Sequence, residues 1–490
     1  MLKRLKPNKK SPVLSVISMV VLLQGCMQTI TQPEITQIAE EVRYAVTSQL
    51  PTMTDSIEHN ARWWQAFASQ ELDQLVATAL ENNRDLRATR LRVEAAAARL
   101  RLQEDQQRPQ GGLYTDLNEQ QAQLIRNGEK VTSRQGRIGI EASWNLDLFG
   151  RIEASIRAVE ANLQRQAYAN DQVIAEIITA VVETYTRLAG AQAQLVVLEQ
   201  QLASINQTVA TLDTRVKEGF ATPLELYRAK VLRYEFEAKR PLIAEQAAQY
   251  RSSLATLVGE TVPELAIAYS AFILPDSQSL ALVFANPQQS ILDNPELLQS
   301  RTNVLQAAAL SDQAKAALYP DISISGLVGW LSAGSLQLDQ GEANLSITPR
   351  LQWSILNLSA LRANLQASHL EEQAVLAEYE KQLLLVLNNA DQSIKTWNAR
   401  NQRMAYLNER HFFAQKAENQ AKVRYEEGAI PYVDYLDAQR ELLAAEDAQI
   451  IAKIEWSSSY ADLYRAFAGS WLYQLDQAGI EKQASLVKEG

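Results

Sequence analysis

Residues 138–151 read IGIEASWNLDLFGR. Ile138, Ile140, Ala142, Trp144, Leu146 and Leu148 alternate with small or polar residues, which is the period of a strand with one apolar face. About 11 residues of this pattern match the length a tilted strand needs to cross a bilayer. Gly150 breaks the pattern, and from Arg151 to Val216 there is no proline and a single glycine, Gly190. Leu195, Leu198, Leu202, Ile205, Val209, Leu212 and Val216 step alternately by three and four, the seam of a coiled coil. At about 1.5 Å per residue such a helix reaches about 100 Å, too long for an ordinary globular domain. A membrane-length strand feeding straight into it predicts a chain that spans a membrane by strands and reaches away from it by helices.

The same plan recurs in the second half. Trp144-Asn145-Leu146 lies 209 residues before Trp353-Ser354-Ile355, and at that offset Arg215, Gly219, Glu225 and Ala229 fall on Arg424, Gly428, Asp434 and Ala438. Upstream the offset is 211: Asn83, Leu86 and Pro109 match Asn294, Leu297 and Pro320. A period this long is a duplicated half-molecule, not a solenoid unit. In the second copy Ile322, Ile324, Gly326, Val328 and Trp330 predict one strand, and Leu345, Ile347, Pro349, Leu351, Trp353 and Ile355 the other. Pro349 cannot donate to a ladder and is expected to mark a bulge or open position. In the first copy the strand near 113–122 is weak, because Asp116, Asn118 and Glu119 do not suit a lipid-facing band. The second long helix is expected from about 361 to 424, with Tyr379, Leu383, Val386, Ala390, Ile394 and Trp397 on one stripe. Shorter return helices should run to about 258 and 467, the first kinked or split at Pro241.

Composition agrees with long helices. Gly (18) and Pro (14) are scarce in 490 residues. The net charge is −10 with no basic block beyond the N-terminus, so nucleic-acid binding has no support. At the N-terminus, Lys3, Arg4, Lys6, Lys9 and Lys10 precede a short apolar run, Val13 to Leu23, too short to span a bilayer as a helix. Leu23-Gln24-Gly25-Cys26 then resembles a bacterial lipobox, with Met27 rather than Asp after it, as in sorting to the outer membrane. A plain signal peptide with an incidental cysteine is the competing reading. The chain has no second cysteine to pair with Cys26, and acylation would anchor it by buried methylenes. The expected organisation is a signal peptide (1–25), a lipidated segment (26–70), repeat 1 (71–258, β-hairpin about 110–148, tip 217–223), a linker or equatorial segment (259–290), repeat 2 (291–470, β-hairpin about 320–356, tip 426–431) and a tail (471–490).

No catalytic constellation is present. The three histidines are scattered without metal-ligand spacing, and no phosphate loop or nucleophile elbow occurs. Neither an enzyme nor a cofactor is expected. One polar pair stands out: Asp434 and Asp437, three residues apart on one face of a helix start. Carboxylates there are favoured by the helix dipole alone, so a structural and a functional reading both stand.

Five pieces in order carry a family resemblance: Trp63-Trp64 with Phe67, Leu72 and Leu75; WNLDLFGR at 144–151; QAKAALYP at 313–320; LDAQR at 436–440; and DLYRA at 462–466 with Gly469 and Trp471. Together they resemble the TolC-like outer-membrane efflux family, in particular its lipoprotein branch (OprM/NodT-like). The resemblance implies a mainly α fold with transmembrane β. The duplicated helix–β-hairpin–helix repeat would assemble as a homotrimer, pooling about twelve strands in one β-barrel above a long periplasmic α-helical barrel. It implies a passive exit duct that takes small molecules from a periplasmic membrane-fusion adaptor and an inner-membrane pump, RND-type, across the outer membrane lipid. Lipid would be attached at Cys26. Adaptor contacts fall at Arg215, Gly219 and Phe220 in the first tip, and at Arg424, Gly428 and Ala429 in the second. The periplasmic gate falls at Tyr425, Val433, Asp434 and Asp437, with Glu225 as the first-repeat counterpart of Asp434. Where some members carry a basic residue this chain has Ile430, and Asn294-Pro295-Glu296 stands where relatives often have Arg-Pro-Asp. The alternatives are an exit duct for type I protein secretion and a structural coiled-coil envelope lipoprotein; a structural rod has no use for lipid-facing strands.

Overall fold

The computed structural model describes residues 62–123, 130–262, 287–333, 342–469 and 471–472. All belong to the unit Thr52–Gly490; the other unit, Met1–Pro51, lies outside them and includes Cys26. Most of the 259–290 linker and of the C-terminal tail likewise lies outside the described residues.

Each repeat contributes two strands and its helices in the same order. Repeat 1 runs α1 (Gln70–Asn82), α2 (Arg84–Glu104), β1 (Gln110–Gln123), β2 (Lys130–Leu146), α3 (Arg151–Lys217) and α4 (Pro223–Val258). Repeat 2 runs α5 (Pro287–Leu292), α6 (Pro295–Ala316), β3 (Asp321–Ala333), β4 (Glu342–Gln352), α7 (Leu358–Glu426) and α8 (Tyr432–Ala466). The 67 residues of α3 and 69 of α7 make each about 100 Å long. The long helix α3 packs against α4, α6 and α8, and α7 packs against α6 and α8.

The duplication extends to single hydrogen bonds. Asn83 caps α2 by accepting from the Asp85 and Leu86 N–H groups, and its Nδ2 donates to the Leu257 carbonyl at the end of α4 at 2.8 Å. Its counterpart Asn294 accepts from the Glu296 N–H and donates to the Ala466 carbonyl at 3.3 Å. Trp144 Nε1 donates to the Gln107 carbonyl at 2.8 Å, and Trp353 Nε1 to the Leu318 carbonyl at 3.1 Å. Each repeat therefore ties its own helix ends together with an asparagine and pins its strand end with an indole. The two ends of the described chain also meet. Trp63 stacks on Tyr464 at 4.8 Å and lies edge-on to Trp471, whose indole N–H donates to the Tyr464 carbonyl at 2.9 Å.

The four strands form one antiparallel sheet in the order β1-β2-β3-β4. Strand parity sorts it into two faces. Leu113 pairs with Ile140, Ile140 with Val328, and Val328 with Leu345; all four side chains are exposed. Trp144, Trp330, Ile347 and Leu351 share that apolar face. The opposite face carries Tyr114, Asp116, Asn118, Arg137, Ser323, Ser325, Thr348 and Arg350. An exposed apolar face backed by a polar one is the signature of a strand between lipid and a wet lumen.

Several expectations are corrected. Asp116 and Asn118 do not interrupt an apolar band in β1, because they lie on the polar face, where Asp116 pairs with Arg137 at 2.8 Å. Glu119 does share the apolar parity, and pairs with Arg134 at 3.4 Å. Pro349 makes no bulge: the β3–β4 register runs unbroken from Asp321↔Gln352 to Leu331↔Glu342. Within one chain's sheet it lies on the outer strand, β4, which keeps its register with β3 despite the missing donor. Leu148, Trp353 and Ile355 fall outside the strands, which end at Leu146 and Gln352; Ile355–Asn357 is a turn of 3-10 helix. Pro241 does not split α4, which continues through it on an exposed stretch, where the carbonyl left without its donor can turn to water.

Candidate functional site

The two helix–turn–helix tips end their long helices in the same way. After α3, the Gly219 N–H donates to the Val216 carbonyl at 3.2 Å and the Phe220 N–H to the Arg215 carbonyl at 2.7 Å. After α7, the Gly428 N–H donates to the Tyr425 carbonyl at 3.0 Å and the Ala429 N–H to the Arg424 carbonyl at 2.8 Å. Both are Schellman motifs, with the glycines at φ 79° and 75°. A side chain in that left-handed position would be strained, which is why glycine occupies it.

The returning helices start differently. Thr222 caps α4 in a full capping box: its hydroxyl accepts from the Glu225 N–H, and the Glu225 carboxylate accepts from the Thr222 N–H at 2.8 Å. At the matching point of α8 stands Pro431, with no capping side chain and no N–H to offer a carboxylate. Asp434 occupies the place of Glu225, three residues into the helix, without a reciprocal partner. Among the described residues neither the Asp434 nor the Asp437 carboxylate makes a hydrogen bond or ion pair, and both are exposed beside Val433. In the first repeat the counterpart of Asp437 is the basic Arg228.

Behind these acids lies an aromatic cluster that sequence reasoning did not assemble. Tyr425 stacks on Tyr435 at 5.6 Å and meets Tyr432 edge-on at 5.5 Å. The Arg215 guanidinium, from the first tip, lies over the Tyr425 ring at 5.3 Å. Tyr432 is buried with its hydroxyl unpaired among the described residues, and burial pushes its phenol well above the ordinary range. Burial, with the Glu418 carboxylate, pushes Tyr435 up to about 12. Burial also raises Glu418, which meets the Tyr435 hydroxyl at 3.5 Å. The structure thus brings the Arg215 and Tyr425 side chains together across the two tips, while Phe220, Arg424 and Ala429 are exposed. The sequence signal for the missing piece was Thr222-Pro-Leu-Glu225, a readable capping box that its second-repeat counterpart lacks. Among the described residues no group of His, Cys, Asp and Glu is arranged to hold a metal ion.

Comparison with known proteins gives this arrangement its context. The profile of the outer membrane efflux protein family matches residues 75–260 and 286–469. The chain is 26% identical over 434 residues to the pyoverdine export outer membrane protein OpmQ of Pseudomonas aeruginosa, covering 86% of this chain and 90% of that one. It is 28% identical over 425 residues to the toluene efflux pump outer membrane protein TtgF of Pseudomonas putida, covering 86% and 87%. It is 26% identical over 424 residues to the cation efflux system protein CusC of Escherichia coli, covering 84% and 89%. Among solved structures, the outer-membrane channel OprN superposes with a TM-score of 0.80 at 26% identity, covering 86% of this chain and 98% of that one. Matched along both repeats and sharing the sheet and long helices of a solved channel, the chain belongs to the outer membrane efflux protein family, whose members are passive channels rather than enzymes.

Proposed function

We propose that this chain is the exit duct of a tripartite efflux system and that its second helical tip is the periplasmic gate. Three copies close the four-stranded sheets into one barrel, and the long helices continue the duct away from the membrane. Tyr425, Val433, Asp434 and Asp437 from each copy surround the axis at the narrow end. Six carboxylates held close would repel one another and draw cations to the axis in place of free passage. The observation that carries this reading is the unengaged Asp434 carboxylate, set against a Glu225 fixed in its own capping box.

In this reading the duct holds no energy source. A membrane-fusion adaptor docks on the tips through Arg215, Gly219, Phe220, Arg424, Gly428 and Ala429, and an inner-membrane pump of the RND type drives transport. Acyl chains on Cys26 hold the N-terminus at the outer membrane. The named relatives serve pyoverdine export, toluene efflux and cation efflux, which supports a duct of broad tolerance whose cargo is chosen by the pump. The purified protein, reconstituted in planar bilayers, should conduct weakly as a trimer, and Asp434→Ala with Asp437→Ala should enlarge its unitary conductance without changing the trimeric mass. A monomer in mild detergent would overturn the duct; an unchanged conductance would remove the gate alone. Loss of palmitate labelling on Cys26→Ser tests the anchor.

A further inference from the structure

The apolar face of the sheet ends abruptly on one side only. Away from the helices, the apolar run on that face gives way just past Leu117 to Glu119 with Arg134, an ion pair at 3.4 Å. Toward the helices the Arg151–Asp321 ion pair stands at the polar-face parity, and among the described residues no ion pair closes the apolar face. The strands finish at Leu351 and Leu146, yet apolar exposure continues through the strand–helix junctions: Trp353 is 47% exposed, Ile355 54%, Leu148 59% and Leu356 98%. Leu351 is the last lipid-facing residue of β4, and Trp353 and Ile355 follow it directly along the chain. The run from the Ile322 level to the Leu117 level is ten residue steps. At about 3.3 Å per step and a tilt of about 40° that is about 25 Å, already the height of a hydrocarbon band. The junction residues therefore lie just below it.

We propose that Leu148, Ile355 and Leu356 form a ring that dips into the phospholipid leaflet on the helix side, at the boundary of acyl chains and headgroups. The occupant follows from continuity with the lipid-facing sheet. A leucine exposed almost completely, at the rim of an apolar band, has water as its alternative, and apolar groups at this depth insert some 5–10 Å. Both repeats supply the contact, so three copies make it continuous. Both long helices then start at the membrane surface: α3 begins at Arg151, three residues past Leu148, and α7 at Leu358, two past Leu356.

The inference rests on the barrel reading, and the test separates the two. With Cys26 replaced by Ser, single cysteines at Leu345, Leu356 and Leu370 are labelled with an environment-sensitive fluorophore. The full-length channel is then reconstituted in phosphatidylethanolamine–phosphatidylglycerol vesicles containing phospholipids brominated at defined depths. Leu370 is 14 residues down α7 from Leu356 and exposed, so it should emit as in water and resist quenching. Leu345 should be quenched most by deep bromines, and Leu356 by bromines near the glycerol. Leu345 quenched while Leu356 behaves like Leu370 overturns the ring and leaves the barrel standing. A Leu345 label that stays unquenched overturns the barrel and the ring with it.

Discussion

The first tip and the second tip share a turn and differ in what holds the helix that follows. Gly219 and Gly428 close their Schellman turns on the same two carbonyl positions, 209 residues apart. At that offset, however, Thr222 faces Pro431, Arg228 faces Asp437, Val209 faces Glu418 and Arg215 faces Arg424. The first tip fixes its N-terminal carboxylate by its own cap, and it buries Leu226, Leu232 and Phe236 in an apolar cluster that Tyr432, Tyr435 and Leu436 of the second tip share. The second tip has no side-chain cap, buries tyrosines where the first buries aliphatics, and takes its cation from the first tip, since Arg215 lies over Tyr425 while Arg424 stays exposed. Duplication preserved the turn, which backbone geometry dictates. The N-cap and the charges were free to diverge, and they diverged toward one fixed hairpin and one held by a neighbour.

The largest effect should separate the carboxylates. Asp434→Ala and Asp437→Ala, combined, should raise single-channel conductance severalfold, whereas Glu225→Ala, the same deletion at the first tip, should leave conductance near the parental value. Equal increases from both would erase the distinction between a gating acid and a capping acid.

Next comes the cap. Thr222→Ala should destabilise the start of α4 by about 1 kcal/mol, seen as faster amide exchange in its first turn, with no change at α8. The reverse transplant, Pro431→Thr with Asp434→Glu, would complete a capping box in the second tip. It should slow exchange at the start of α8 and also widen conductance, because the carboxylate is drawn back to its own backbone. A slower exchange with unaltered conductance would show that the acid at this position does not reach the axis.

Much of this was legible in residues alone. The offset of 209, the heptad steps from Leu195 to Val216 and the Gly-Pro punctuation of both tips are local patterns, and local patterns dictate helices and turns. What escaped was sidedness and partnership. Asp116 spoils an apolar strand only if it points at lipid, and the register that turns it toward Arg137 is set by β2, not by β1 itself. Pro241 and Pro349 obeyed their surroundings, an exposed stretch of helix and the outer strand of one chain's sheet. Arg215 reads as a tip residue from its position, but its contact with Tyr425 crosses 210 residues of chain, and no spacing rule encodes that.

That contact sets the third effect. Arg215→Ala removes a cation–π interaction of about 0.5–1 kcal/mol and should loosen the second tip, giving more frequent brief openings in bilayer recordings. Arg424→Ala, with no ring beneath it among the described residues, should give none.

The smallest effect is a slope with pH. Burial is the main cause that raises the Glu418 carboxyl in the folded protein, with the Lys422 charge and the Tyr435 hydroxyl acting against it. An acid whose folded pKa lies above its unfolded value adds stability in full below the unfolded value, about 4.3, and loses that contribution as pH rises through the folded value. The wild-type second tip should thus exchange amides faster as pH climbs across that interval, after correction for intrinsic exchange. Glu418→Val, which copies Val209 of the first repeat, should flatten the slope without touching the first tip. Glu418 packs against Tyr435, itself held near 12, so no phenol ionises over the same range to mimic the change. A slope that persists in the valine variant would place the titrating group elsewhere and leave the second tip no more sensitive to protons than the first.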